Sequence, residues 1–462
     1  MINNEAEWYC EEVKGAEFGD SRLTERYKKI LGGLSTQTEE SIPGALDSWG
    51  ETQAAYRFLA NSKVSAAKIL SPHRESTIER IKQEEVILLP QDTSELNYSS
   101  KTDIKGLGPL NTESHRGFLL HPVIAVTPKR LCLGVVSAEM WARESIGNKS
   151  LNRDRRIEDK ESMRWLRGFE VAEEVAKRAP HTLVVNIADR EGDIYEFFQK
   201  TGGIRMDEGA HWLIRSTYNR KASKDEYGAN QKLWGVVENT EVVAEIEFEL
   251  PSRGNSPSRR VRQEVRYARV KLGGARRPGK GLAPLEVTAI LASEINAPAG
   301  AKKVEWLLLS SLPIENKTEA LRLIEWYLCR WEIELFFKVL KSGCTIEQLQ
   351  LEEVERLYNC VALYMIIAWR VMYVLGMGRA YPGLNCQLIF NESEWKSVYC
   401  KLHKKQALPA TAPTLGEMVI LVARLGGFLA RKGDGYPGIK TTWVGLQRMH
   451  DYAQAWLIFK GL

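Results

Sequence analysis

A chain of 462 residues has room for two to four domains and at least one sizeable core. Its formal net charge of +5 argues only weakly for a polyanionic partner, and seven scattered cysteines without a CxxC pair exclude a zinc ribbon or a disulfide scaffold. No run of eighteen apolar residues occurs and the first residues are polar and acidic, so neither a membrane span nor a secretory signal is expected and the thiols read as those of a cytoplasmic protein.

Residues 1–70 read as a small helical unit. Asp20 or Ser21 caps a helix that stops at Gly32–Gly33, a second helix runs from Asp47 to Leu59, and a third covers Ser65–Leu70. Arg22 and Arg26 lie on the first and Arg57 on the second, where they could grip DNA phosphates; short basic helices are also common on any soluble domain. Val86–Leu89 is a short apolar strand with Asp92 just past its C-terminal end, where sheet proteins place functional side chains. GFLLHPVIAVT and LCLGVVSAEMW, joined at Pro128–Arg130, read as a β-hairpin. A helix stopped by Pro180 leads to a second buried strand, Thr182–Ala188, with Asp189 at its end. Either aspartate alone could be an N-cap or a turn residue.

His211–Tyr218, which contains Arg215, is a further core strand. From about 219 to 313 the pattern alternates and reads as an all-β insert. Between Arg253 and Lys280 it carries a basic block that includes Arg259, Arg260 and Arg262, with Glu264 the only acid. Such a block suits contact with a phosphate backbone, or else a flexible solvated loop.

Tyr327–Lys341 reads as one helix. At about 100° per residue, Tyr327, Arg330, Glu334, Lys338 and Lys341 share roughly one quarter of its circumference. A carboxylate in a stripe of cations and a phenol suits a group held ionised near a metal while its neighbours hold phosphates. The stripe also fits an amphipathic surface helix with i,i+4 ion pairs, and Glu332 breaks its apolar side. Leu357–Met377 is a long apolar helix suited to a core or interface, and residues 414–462 form a final helical pair around Gly426–Gly427.

Three carboxylates on adjacent elements of one α/β layer can hold two divalent ions, and hard oxygen ligands favour Mg²⁺ or Mn²⁺. The residues that carry this constellation also resemble a known family. Y-x2-R-x3-E-x6-K is present as Tyr327, Arg330, Glu334 and Lys341, and a DRExD motif as Asp189-Arg190-Glu191-Gly192-Asp193. Together with QDTSELNY around Asp92 they resemble the DDE transposases of bacterial insertion sequences, family four, the branch that includes the Tn5 transposase. The likeness covers nearly the whole chain, from FGDSRLT to ARLGGF.

The resemblance implies an RNase H-like α/β catalytic core (residues 71–372) interrupted by the all-β insert, a helical N-terminal domain (1–70) that binds DNA ends, and a helical C-terminal dimerisation domain (373–462). It implies cut-and-paste transposition: a homodimer binds terminal inverted repeats, metal-dependent hydrolysis and a hairpin step cleave both strands, and the 3′ ends join target DNA. Asp92, Asp189 and Glu334 would be ligands of two Mg²⁺ or Mn²⁺ ions; Tyr327, Arg330 and Lys341 would position phosphate. Trp306 is the candidate to stack on a flipped base, and Arg190, Arg215 and Lys338 are further candidate DNA contacts. A protein of this kind is expected in the cytoplasm, on the nucleoid. Two alternatives keep the site but change its use: a plain RNase H-like nuclease, and an end-binding inhibitor of transposition without catalysis. A two-carboxylate glycosidase would explain the acids but not the basic loops.

Overall fold

A computed structural model describes residues 7–101, 103–112, 114–145, 156–205, 209–223, 231–250, 257–277, 280–404 and 407–460. The chain opens with four helices, α1 (Trp8–Glu12), α2 (Ser21–Thr36), α3 (Trp49–Leu59) and α4 (Ala66–Ile81). The side chains of Asp20, Ser48 and Ser65 cap the last three, each accepting from a first-turn N–H. The third predicted helix runs eleven residues past Leu70, because Ile69, His73, Thr77, Ile78 and Ile81 continue a buried face at helical spacing.

Next come β1 (Val86–Pro90), β2 (Ser94–Asn97), β3 (Gly108–Pro109) and the expected hairpin, β4 (Arg116–Val126) with β5 (Cys132–Trp141). They are followed by α5 (Met163–Arg178), β6 (Leu183–Ala188), α6 (Tyr195–Thr201) and β7 (His211–Arg215). The stretch expected to be all-β contains β8 (Lys221–Ser223), β9 (Gln231–Lys232), one short helix α7 (Leu233–Glu238) and β10 (Ala244–Leu250). It continues through β11 (Arg259–Leu272), β12 (Arg276–Arg277), β13 (Lys280–Gly281), β14 (Leu285–Glu294) and β15 (Glu305–Ser310). The remainder is helical: α8 (Lys317–Leu328), α9 (Trp331–Lys338), α10 (Val354–Ala380), α11 (Glu392–His403), α12 (Leu415–Leu425) and α13 (Ile439–Lys460).

These elements fall into two compact units. The first comprises Met1–Glu84, Thr93–Ile146 and Trp331–Leu462; the second comprises Glu85–Asp92 and Gly147–Arg330. The N-terminal and C-terminal helices both fall in the first unit. Its spine is α10, which packs on α4, β5, α12 and α13. Among the described residues α10 is the one helix long and apolar enough to cross a membrane, and 83% of that stretch is buried inside the protein.

The second unit is built on a sheet. Its β1, β6 and β7 run parallel; β15 then lies antiparallel to β7, and β14 and β11 carry the same sheet outward. The insert is thus continuous with the core sheet: its last strand returns beside the strand from which the chain departed.

The helix expected over Tyr327–Lys341 is interrupted twice. The amides of Cys329 and Arg330 bond to carbonyls only three residues back, which closes α8 with a tight turn before α9 begins. After α9, Val339–Gly343 forms a π-turn, with the Cys344 amide bonding five residues back. Tyr327 and Arg330 are buried, Lys341 is half-buried, and Glu334 and Lys338 are exposed. Glu332 is buried, with Arg130 at 3.7 Å, and burial pushes its carboxyl above the ordinary range against the pull of that arginine.

Candidate active site

Two apolar strands set the first geometry. Parallel β1 and β6 pair in register from Val86 opposite Leu183 to Pro90 opposite Ile187, and the Gln91 amide extends the ladder to the Ile187 carbonyl. Asp92 and Asp189 follow just past the ends of these two neighbouring strands. A buried amide pair holds this alignment. Gln91 Nε2 donates to Asn186 Oδ1 at 2.8 Å and to the Trp165 carbonyl at 3.3 Å, and Asn186 Nδ2 donates to the Leu89 carbonyl at 3.2 Å. Gly168 on α5 makes the space: a Cβ there would lie 2.1 Å from Gln91 Oε1. Sequence reasoning missed Gln91 and Asn186. Their signal was a polar amide inside each apolar run, directly before one aspartate and three residues before the other.

Cations and a phenol gather on the same edge. Arg330 Nη1 lies 3.0 Å from Asp92 Oδ2, with both side chains largely buried. Arg215, at the end of β7, donates to the Glu305 carbonyl at 3.0 Å and hydrogen-bonds Tyr327. Burial pulls the Arg215 guanidinium below its ordinary value, with Tyr327 opposing that shift. The Tyr327 hydroxyl is raised by burial, opposed by Arg330 and Arg215 and assisted by the charge of Asp189, so it keeps its proton at neutral pH. Asp92, Asp189, Arg215, Tyr327 and Arg330 are therefore brought together within the second unit.

Known proteins match along this same chain. A family model described as transposase DNA-binding matches residues 5–64, one described as transposase DDE domain matches 177–369, and one described as transposase Tn5 dimerisation domain matches 366–456. The chain belongs to the DDE transposases. Within that family it is similar to the Tn5 transposase. A solved structure titled piggyBac transposase synaptic complex with hairpin DNA aligns with 68% of this chain at 10% identity and a TM-score of 0.32, a score too low to define a shared fold. The chain covers 53% of that protein, about half its length.

In this transposase the DRExD motif divides its labour. Asp189 Oδ1 accepts from the Glu191 amide at 2.8 Å, and Glu191 pairs with Arg164 at 2.6 Å. Asp193 is fully buried and faces the loop after β7, while Arg190 is exposed. Lys341 and Lys338, by contrast, belong to the first unit, where Lys341 Nζ donates to the Glu95 carbonyl at 2.6 Å. Glu334 lies on α9 of that unit and is exposed.

The expected DNA contacts show a different pattern. Arg26 pairs with Glu51 between α2 and α3, Arg22 pairs with its own cap Asp20 at 2.9 Å, and Arg57 is exposed in the last turn of α3. On β11 the basic block is met across the sheet by acids of neighbouring strands. Arg259 pairs with Glu294, Arg260 with Glu247 at 2.6 Å, Arg262 with Glu245 at 2.7 Å, and Arg269 with Glu286 at 2.6 Å. The charge that looked lopsided along the chain is thus largely compensated across it. Arg253 lies outside the described residues. Trp306, half-buried on β15, stacks on Phe248 with ring centroids 5.5 Å apart and planes 15° apart.

The DDE family implies a divalent metal. The aspartate pair fits one: two hard carboxylates stand side by side at strand ends, and a positive group already faces one of them in Arg330. Among the described residues, however, no group of three His, Cys, Asp or Glu side chains is close enough to hold an ion together. Glu334, the third donor expected from the sequence, lies in the first unit and the two aspartates in the second.

Proposed function

We propose that this chain is a cut-and-paste DNA transposase that binds the terminal inverted repeats of its element as a homodimer, cleaves both strands by hydrolysis and a hairpin step, and joins the 3′ ends to target DNA. The observation that carries the reading is that Asp92 and Asp189, each just past the end of one of two adjacent parallel strands, are met by Arg330, Arg215 and Tyr327. Asp92 and Asp189 would hold Mg²⁺ or Mn²⁺, with Glu334, four residues after Arg330, as the third donor once DNA is engaged. Two ions, when bound, supply activation of the attacking oxygen and charge neutralisation on the leaving oxygen.

The chain's own groups do the rest. Arg330 and Arg215 offer planar guanidinium forks, which match the oxygens of a phosphate two at a time. Tyr327, protonated through neutral pH, donates a hydrogen bond to a phosphate oxygen without adding charge. Lys341 and Lys338 extend the grip along the backbone. Asp92 would hold the metal in place of its present partner Arg330, leaving that arginine for the substrate. The N-terminal helices would take the terminal repeat, and the stretch containing the end of α10 through α13 would form the dimer, in keeping with the matched models.

The test is cleavage of linear DNA carrying the gene's own flanking ends, with Mg²⁺ or EDTA, by the wild type and Glu334→Ala. Mg²⁺-dependent breaks at both ends with a hairpin intermediate, lost in the variant, support the reading. Specific end binding without cleavage would favour an inhibitor of transposition, and cleavage indifferent to end sequence a plain nuclease.

A further inference from the structure

The loop after β7 is held with unusual completeness for an exposed segment. The buried carboxylate of Asp193 accepts the Thr217 amide at 2.7 Å, the Tyr218 amide at 3.0 Å and the Ser216 hydroxyl at 3.1 Å. Arg220 closes the arrangement, with one nitrogen 2.6 Å from the Asp193 carboxylate and another donating to its carbonyl at 2.9 Å. Three donors on one carboxylate and a charge-assisted pair leave this loop little freedom.

What it presents is an aromatic ring. Tyr218 is 60% exposed, and the Arg220 guanidinium lies between it and the core ring of Phe198, 5.0 Å from one centroid and 5.5 Å from the other. Beside the ring is a cavity of about 560 Å³ lined by Asp193, Tyr195, Tyr218, Arg220, Lys221 and the Gly273–Gly274 backbone. Asp193 and Arg220 neutralise each other, which leaves exposed Lys221 to set the sign of the rim. A Cβ on Gly274 would lie 2.3 Å from the Leu282 carbonyl, so that part of the wall is bare backbone by necessity. The loop also follows β7, which is parallel to β6, so Tyr218 leaves the sheet at the same end as Asp189.

An aromatic face held rigid, a cavity of ligand size and a lysine at its rim together match one nucleotide unit: a base to stack and a phosphate to pair. We propose that Tyr218, positioned by Asp193, is a stacking platform for an unpaired base at the DNA end, with Lys221 on the adjoining phosphate. The ring needs no particular base, since each has a π-face, so the site grips strand ends without reading sequence. This rests on the transposase reading above.

The experiment is fluorescence anisotropy of the full-length protein with two duplexes, one blunt and one bearing a five-nucleotide single-stranded extension, over a range of salt. Tyr218→Ala should bind the extended duplex roughly 5- to 150-fold more weakly and the blunt duplex nearly as well as the wild type. Tyr218→Phe should retain wild-type binding, because the hydroxyl is not what stacks. Lys221→Ala should lower the slope of log affinity against log salt by about one on the extended duplex. As a measurement free of any variant, 2-aminopurine in the extension should be quenched on binding wild type.

Equal affinity of Tyr218→Ala and wild type for the extended duplex, or an unquenched probe, overturns the platform and leaves the transposase reading standing. No binding of either duplex by wild type overturns both.

Discussion

In the first unit, Glu12, His73 and Arg80 form a buried charge cluster in which the Glu12 carboxylate is met on both oxygens. His73 Nδ1 lies 2.5 Å from Oε2, Arg80 Nη1 2.7 Å from Oε1, and His73 Nε2 accepts the Val135 amide at 3.0 Å. In the second unit, Asp92 and Asp189 also stand among cations and a buried phenol, but at the open ends of strands. The first cluster ties α1, α4 and β5 together around the buried Glu12 and His73, with Arg80 partly exposed at its edge. The second lies just past the ends of two adjacent strands, where Arg330 pairs with Asp92. Buried charge that is fully satisfied internally is architecture; buried charge beside an edge is available for chemistry.

Substitutions should separate the two clusters. Asp189→Asn keeps the shape and would remove a donor of the proposed metal site, so end cleavage should fall on the order of a thousandfold or more while the melting temperature stays near wild type; a gel assay with parallel calorimetry reads both. Glu12→Ala should do the reverse. It strands His73 and Arg80 and should cost about 3–5 kcal/mol of unfolding free energy in urea titration, with unchanged cleavage per folded molecule.

Acid should probe the same contrast. Burial alone would raise the Glu12 carboxyl, but His73 and Arg80 outweigh it and hold it down at about 2 against an ordinary 4.5. Its contribution is therefore complete above pH 4.5 and lost as pH falls toward 2, about 3 kcal/mol in all. Burial likewise depresses His73, whose stabilising effect begins to fade below its ordinary 6.5. Urea midpoints should fall steadily on acidification, and Glu12→Ala should flatten that fall.

Gly168→Ala, which drives a methyl into Gln91, should cost about 1–3 kcal/mol and lower cleavage along with stability, because the amide pair aligns the aspartates. The smallest effect belongs to the surface. Arg260→Ala should leave the melting temperature unmoved, and if this arginine meets phosphate it lowers the salt slope of DNA binding by about one.

The aspartates were legible in the sequence because each ends a short apolar strand, and such strands are readable from their own residues. Arg330 and Tyr327 were legible only as types. Their burial was not, because nothing near Cys329 marks a helix break: there is no glycine or proline, and the apolar spacing runs straight through. The arginines of β11 misled for a related reason. Glu245, Glu247, Glu286 and Glu294 sit on strands before and after it, so a count along the chain omits the charges that face it across the sheet. The continuity of the insert with the core sheet was hidden in the same way, since pairing between β7 and β15 leaves no local trace.

That pairing has a further bearing on when the protein becomes competent. Leu213 and Ser310 are partners across almost a hundred residues, and Arg215 meets the β15 backbone before α8 brings Tyr327 to it. Contacts this distant form late and slowly. During synthesis, at about 5–20 residues per second, several seconds separate the emergence of Asp189 from that of Tyr327. A nascent or truncated chain thus holds both aspartates before Tyr327 and Arg330 exist to stand beside them.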